Sequence, residues 1–127
     1  MSTTIRVLIA DDHPIVRDGL AALLSSVPGF DVVAEAGTGA DAVREAVVHS
    51  PDVALVDLQM PGMDGFDATR EMARVAPTVA VLILTMHEDD DSVFTAMRAG
   101  ARGYLVKGAS QEAVSYTHLT LPTTPYV

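Results

Sequence analysis

Residues 52–65 read DVALVDLQMPGMDG, and they constrain the fold more than any other stretch. Val53 to Leu58 are apolar apart from Asp57. A continuous short apolar run describes a strand buried on both faces, as in a parallel sheet. Pro61, Gly62 and Gly65 follow at once and mark a loop. Asp57 therefore falls at the carboxyl end of a buried strand, where ligands bind in open α/β sheets. An aspartate there can also do no more than cap or solvate the strand end. What else converges on that edge decides between the two.

The neighbouring segments repeat the pattern. IRVLIA at 5–10 is a first buried strand, apolar apart from Arg6. Asp11-Asp12-His13-Pro14 ends it, with Pro14 suited to a first helical turn and Asp12 or His13 as its cap. Val16, Leu20, Leu23, Leu24 and Val27 recur at helical spacing up to Pro28-Gly29. DVVAEA at 31–36 is a second strand. A helix from about Ala40 to His49 then carries Val43, Ala46 and Val47. After the central strand, Phe66, Thr69, Met72 and Ala73 line a third helix closed by Pro77. VAVLIL at 79–84 is a fourth buried strand ending at Thr85. Asp90, Asp91 or Ser92 suits the cap of a fourth helix, with Val93, Ala96, Met97 and Gly100 on its apolar face. GYLV at 103–106 is a fifth strand followed by Lys107, and Ser110-Gln111-Glu112-Ala113 opens a fifth helix. Such alternation predicts a parallel sheet covered on both faces.

All carboxyl strand ends of such a sheet open on one edge. Asp11, Asp12, Asp57, Thr85 and Lys107 are the residues there. Two carboxylates about 4 Å apart repel by about 4 kcal/mol at an effective dielectric near 20. A hard divalent cation such as Mg²⁺ relieves that repulsion. Lys107 is the single lysine beside seven arginines, so it is not this chain's ordinary surface cation. His13, His49, His87 and His118 have no metal-ligand spacing and read as exposed or capping. The methionines read as core or loop packing. With 127 residues the chain has one domain's length. Its net charge of −9 gives no electrostatic footprint for nucleic acid. It has no cysteine, which excludes disulfides and thiolate metal sites. No apolar run is long enough to span a bilayer and MSTTIRV lacks a signal-peptide pattern, so a cytoplasmic protein is expected.

LIADDHPIVRDGL at 8–20, DVALVDLQMPGMDGFDA at 52–68, LILTMHEDD at 82–90 and GARGYLVKGAS at 100–110 closely resemble the receiver domain of bacterial two-component response regulators. The wording is most similar to the NarL/FixJ-type subfamily, over about residues 4–113. The resemblance implies a flavodoxin-like (βα)5 doubly wound sheet of strand order 2-1-3-4-5. It implies that Asp57 is the phosphoacceptor, taking a phosphoryl group from a sensor histidine kinase. Mg²⁺ (or Mn²⁺) would be held by Asp12, Asp57 and the backbone carbonyl of Gln59, with Asp11 acting through water. Lys107 would neutralise phosphoryl charge. Thr85 and Tyr104 would be the switch residues, and Gln59 and His87 would tune the phosphoryl lifetime. Such a module catalyses only its own phosphorylation and dephosphorylation. Many receivers carry Lys-Pro after the fifth strand, with a cis peptide. Lys107-Gly108 stands here, so the cis peptide does not carry over with the resemblance.

Other readings lack residues they need. A haloacid-dehalogenase-type hydrolase requires a second aspartate two residues after the first, where Gln59 stands. A flavodoxin requires a hydroxyl- and glycine-rich phosphate loop where ADDHP stands, and a Rossmann domain requires more than the GTG at 37–39. A receiver-like interaction module that works without phosphorylation is the remaining alternative, although every expected site residue is present.

VSYTHLTLPTTPYV at 114–127 opposes the expected helix, with four threonines, Pro122 and Pro125 within nine residues. One back-translation resembles a transposase-type sequencing adaptor. A non-native or disordered tail is therefore expected, leaving the fifth helix truncated or aberrant. By subfamily resemblance the natural protein would continue to a helix-turn-helix DNA-binding output domain, absent here. The switch face offers a surface for homodimerisation on activation.

Overall fold

The computed structural model describes residues 4–85 and 90–106. In chain order these form β1 (Ile5–Ala10), α1 (Pro14–Ser25), β2 (Phe30–Ala36), α2 (Gly39–His49) and β3 (Val53–Asp57). Then come α3 (Gly65–Val75), β4 (Ala80–Thr85), α4 (Asp90–Ala99) and β5 (Gly103–Val106). All strand pairs are parallel, in the order β2-β1-β3-β4-β5. This is the flavodoxin-like doubly wound order. The chain steps from β1 outward to β2, then crosses back to β3. The crevice between the carboxyl ends of β1 and β3 is thus the topological switch point. Predicted positions of His87, Lys107, the fifth helix and the 114–127 tail lie outside the described residues.

Two apolar layers flank the sheet. On one face Leu8, Ala10, Ala54, Val56, Val81 and Ile83 meet Ala42 and Ala46 of α2, Ala68 and Met72 of α3 and Ala96 of α4. On the other Val7, Ile9, Leu55, Leu82, Leu84 and Leu105 meet Leu20, Ala21 and Leu24 of α1. Strand alternation explains the partition, since Val7 and Ile9 face one way and Leu8 and Ala10 the other. β2 is irregular. Val7 pairs with Val32 but Leu8 pairs with Ala34, so Val33 is skipped. Phe30 and Val32 accordingly pack on the α1 face, while Ala34 and Ala36 pack on the α2 face.

The helices depart from the expected faces in one direction. α2 buries Gly39, Ala42 and Ala46, whereas Val47 is 52% exposed. α3 buries Gly65, Ala68, Thr69 and Met72, with Ala73 outward. On α4 Ala96 and Ala99 are buried and Met97 is 45% exposed. Small residues let these helices sit close to the sheet, and the larger aliphatics next to them turn to solvent. Val27 lies beyond the end of α1 and is exposed. β2 begins at Phe30, β4 at Ala80 and α2 at Gly39, one residue from the expected starts. The α2 shift follows from Thr38, whose hydroxyl accepts the Asp41 N–H at 3.1 Å and caps the helix. α4 already runs from Asp90, so Asp90, Asp91 and Ser92 all stand inside it and none precedes it as a cap.

Candidate functional site

The site grows from the ends of β1 and β3. Asp11 follows β1 directly, and its N–H donates to the Ala36 carbonyl of β2 at 3.0 Å. The chain then turns into α1, with His13 at the N-cap position and Pro14 in the first turn. The His13 side chain makes no capping bond, and Asp12 is not the cap. Instead the His13 N–H donates to Asp11 Oδ1 at 2.9 Å. Asp57 is the last residue of β3 and only 3% exposed. Leu58 N–H donates to the Leu84 carbonyl at 3.2 Å, and Gln59 N–H to Asp57 Oδ1 at 3.3 Å. Gly65 closes this loop. A Cβ there would lie 2.4 Å from the Asp57 carbonyl oxygen, so only glycine lets α3 start this near the strand end.

One ligand atom from each of Asp11, Asp12, His13 and Asp57 lies within 4.8 Å of the others. Asp11 and Asp57 are buried and Asp12 is partly so. Three carboxylates so close, two of them buried, repel by several kcal/mol unless a cation joins them. Asp12 Oδ1 is out of reach of water and accepts no hydrogen bond from any described residue. His13 Nδ1 approaches it to 3.0 Å without making one. A buried acceptor left in this condition, in a set of hard oxygen donors, fits a divalent cation.

Of the residues expected here, Asp11, Asp12 and Asp57 converge, with the Gln59 main chain beside them. Thr85 ends β4 opposite Val106, one strand from Asp57. Tyr104 in β5 is half-buried against the α2–α4 face. The histidines are expected to be exposed or capping, and His13 is exposed at the N-cap position without a capping bond from its side chain. The expectation missed its Nδ1, which sits 3.1 Å from Asp11 Oδ1 and inside the acidic cluster. The contiguous DDH was the available signal. A groove of about 530 Å³ opens beside Asp12, lined by Gln59, Met60, Pro61, Asp64 and Phe66 among others. Nothing in the spacing of Asp64 or Phe66 announced it.

A parallel sheet of this order with an acidic cluster at the β1/β3 switch point defines a class, and the chain belongs to the response regulator receiver domain family, whose profile matches residues 7–116. The chain is 48% identical over 103 residues to transcriptional regulatory protein LiaR of Bacillus subtilis, covering 81% of this chain and 49% of LiaR. It is 45% identical over 112 residues to the response regulator UvrY of Escherichia coli, covering 87% and 51%. It thus spans about half the length of the curated relatives it matches. Among solved structures, the receiver domain of the putative response regulator NarL from Mycobacterium tuberculosis superposes with a TM-score of 0.84 at 34% identity, covering 95% of this chain and 98% of that one. The chain is a receiver domain of the two-component response regulators, and its relatives include transcriptional regulators. No helix among the described residues is long and apolar enough to cross a membrane.

Proposed function

We propose that Asp57 accepts a phosphoryl group from a phosphohistidine of a sensor kinase. One observation carries this reading: Asp57 is a buried carboxylate at the switch point, within 4.8 Å of ligand atoms of two other aspartates. A carboxylate oxygen of Asp57 attacks phosphorus. The new P–O bond forms as the P–N bond breaks, and the electron pair returns to the donor imidazole. Asp12, Asp57 and the Gln59 carbonyl would hold Mg²⁺ or Mn²⁺, with Asp11 acting through water. The bound cation supplies charge neutralisation at the phosphoryl oxygens. Lys107 is assigned to the same anionic charge, Thr85 to the hydroxyl that rearranges toward the phosphoryl group, and Tyr104 to the aromatic that follows it. Gln59 and His87 set the lifetime of the acyl phosphate. The domain catalyses its own phosphorylation and dephosphorylation and nothing further.

The relatives support a reading of the partners. Because the match covers only 49% of LiaR, a transcriptional regulatory protein, the domain would act on a helix-turn-helix DNA-binding output domain in its full-length protein. The −9 charge makes direct nucleic-acid contact by this segment unfavourable. Activation would bring two copies together, and the setting would be the cytoplasm.

Labelling with radioactive acetyl phosphate, with and without Mg²⁺, tests the assignment. Wild type should incorporate phosphate in a Mg²⁺-dependent, hydroxylamine-sensitive form, and Asp57→Asn should incorporate none. Incorporation by Asp57→Asn at the wild-type rate would overturn the site. No labelling of wild type by acetyl phosphate or any kinase would leave an interaction module without phosphorylation.

A further inference from the structure

Arg17 has no place in the chemistry above, yet it is tied into the acidic corner from three sides. It stands in the first turns of α1, its own N–H donating to the His13 carbonyl at 3.0 Å. Its Nη1 donates to the main-chain carbonyl of Asp11 at 2.7 Å. Its Nε lies 3.4 Å from Glu35 Oε1 on β2. The third side is Gly37, where a Cβ would come within 3.2 Å of Nη1. The Arg17 side chain is only 22% exposed.

We infer that Arg17 is a positioning residue that fixes the Asp11-Asp12 turn for cation binding, an inference that rests on the proposed function of this site. The Asp11 peptide is held at both ends from the β2 side. Its N–H goes to Ala36, and its carbonyl goes to an arginine that Glu35 orients. The direction of the Asp11 carbonyl sets the plane of the peptide leading to Asp12, and so the aim of the Asp12 carboxylate. At the cluster Arg17 binds the Asp11 main-chain oxygen and none of the three aspartate carboxylates, so it consumes none of the cluster's donor atoms. It also sets a permanent positive charge behind three negative ones, which lowers the cost of assembling them. A planar guanidinium can hold carbonyl and carboxylate together from different nitrogens, whereas an ammonium lacks the fork. Groups that orient metal ligands in this way are worth about tenfold to a hundredfold in metal affinity.

Mg²⁺ titration of the full chain, followed by calorimetry and by amide NMR shifts, tests this beside the metal-free thermal midpoint of each variant. Arg17→Ala should weaken Mg²⁺ at least about tenfold. Arg17→Lys should restore less than half of that loss on a logarithmic scale, because charge alone does not aim the peptide. Glu35→Gln and Gly37→Ala keep the guanidinium charge but loosen or crowd it, and each should weaken binding several-fold with little change in midpoint. Full recovery with Arg17→Lys would overturn the inference, as would wild-type affinity in Arg17→Ala. If Arg17→Ala fails to fold, unchanged affinity in both Glu35→Gln and Gly37→Ala overturns it. Failure of wild type itself to bind Mg²⁺ would refute the proposed function first, a distinct result.

Discussion

At the scale of single residues, two glycines should respond to alanine with opposite signs. Gly19 lies within α1 with nothing near its would-be Cβ, so Gly19→Ala should stabilise by about 0.5–1 kcal/mol through backbone entropy. Gly65 begins α3, yet its would-be Cβ meets main-chain atoms of Asp57 and Leu58 at 2.4 and 2.6 Å. These are backbone atoms that cannot swing aside, so Gly65→Ala should cost at least about 2 kcal/mol. It should also shift the amide signals of the Asp57–Gln59 turn. Urea unfolding of the two variants checks both signs. The pair also marks what a sequence conveys. Pro61, Gly62 and Gly65 announce a loop after the strand, but only the fold shows that Gly65 is required by proximity. The converging aspartates were legible because parallel strands send all their carboxyl ends to one edge. Arg17 was not, because its partners Glu35 and Gly37 belong to a different strand and turn.

At the scale of elements, α2 ends on a residue that pays a conformational cost. Ser50 caps it at φ 46°, ψ 56°, the left-handed region. Ser50→Gly should stabilise by roughly 0.5–1 kcal/mol. The Arg6 guanidinium covers the same helix end, donating to the carbonyls of His49 at 2.7 Å and Ser50 at 3.0 Å. That explains a charged residue in an otherwise apolar strand. Arg6→Leu should lose about 1–2 kcal/mol by leaving both carbonyls short of a partner, as equilibrium denaturation would measure. Most strands were legible as nearly continuous apolar runs because helices cover the sheet on both faces. Helix faces were less legible. Alanine and glycine carry little hydrophobic weight in a periodicity, although here they make the contacts, and Val47 and Met97 carry more weight but face solvent.

At the scale of the whole molecule, the proposed cation site predicts a stability that depends on divalent cations. Mg²⁺ at a hundred times its dissociation constant should add about 2.7 kcal/mol, roughly 10 °C in midpoint for a domain of this size. Asp57→Asn should be more stable than wild type without metal, by on the order of 1 kcal/mol, since it removes one of three mutually repelling charges. It should also lose most of the Mg²⁺-induced rise. Scanning calorimetry with EDTA and with Mg²⁺ decides both. The 114–127 sequence supplies a separate test. Three aliphatic side chains of a regular fifth helix would bury roughly 5–9 kcal/mol of apolar contact. Replacing that stretch by an amphipathic helix should therefore raise the unfolding midpoint markedly, and an unchanged midpoint would refute the proposal that the tail is foreign to the fold.

The skipped Val33 gives β2 a tolerance that its neighbours lack. Removing one residue from a regular strand reverses the in-and-out phase of everything beyond the gap. In β2 the phase is already broken once, between Val32 and Ala34. Deleting Val33 would straighten the strand and leave Phe30, Val32, Ala34, Glu35 and Ala36 pointing as they do now. The shortened chain should fold and keep Glu35 on the α1 side. Deleting Leu8 from β1, which has no such slack, should abolish folding. Natural length variation in this half of the domain is therefore expected to concentrate at one bulge.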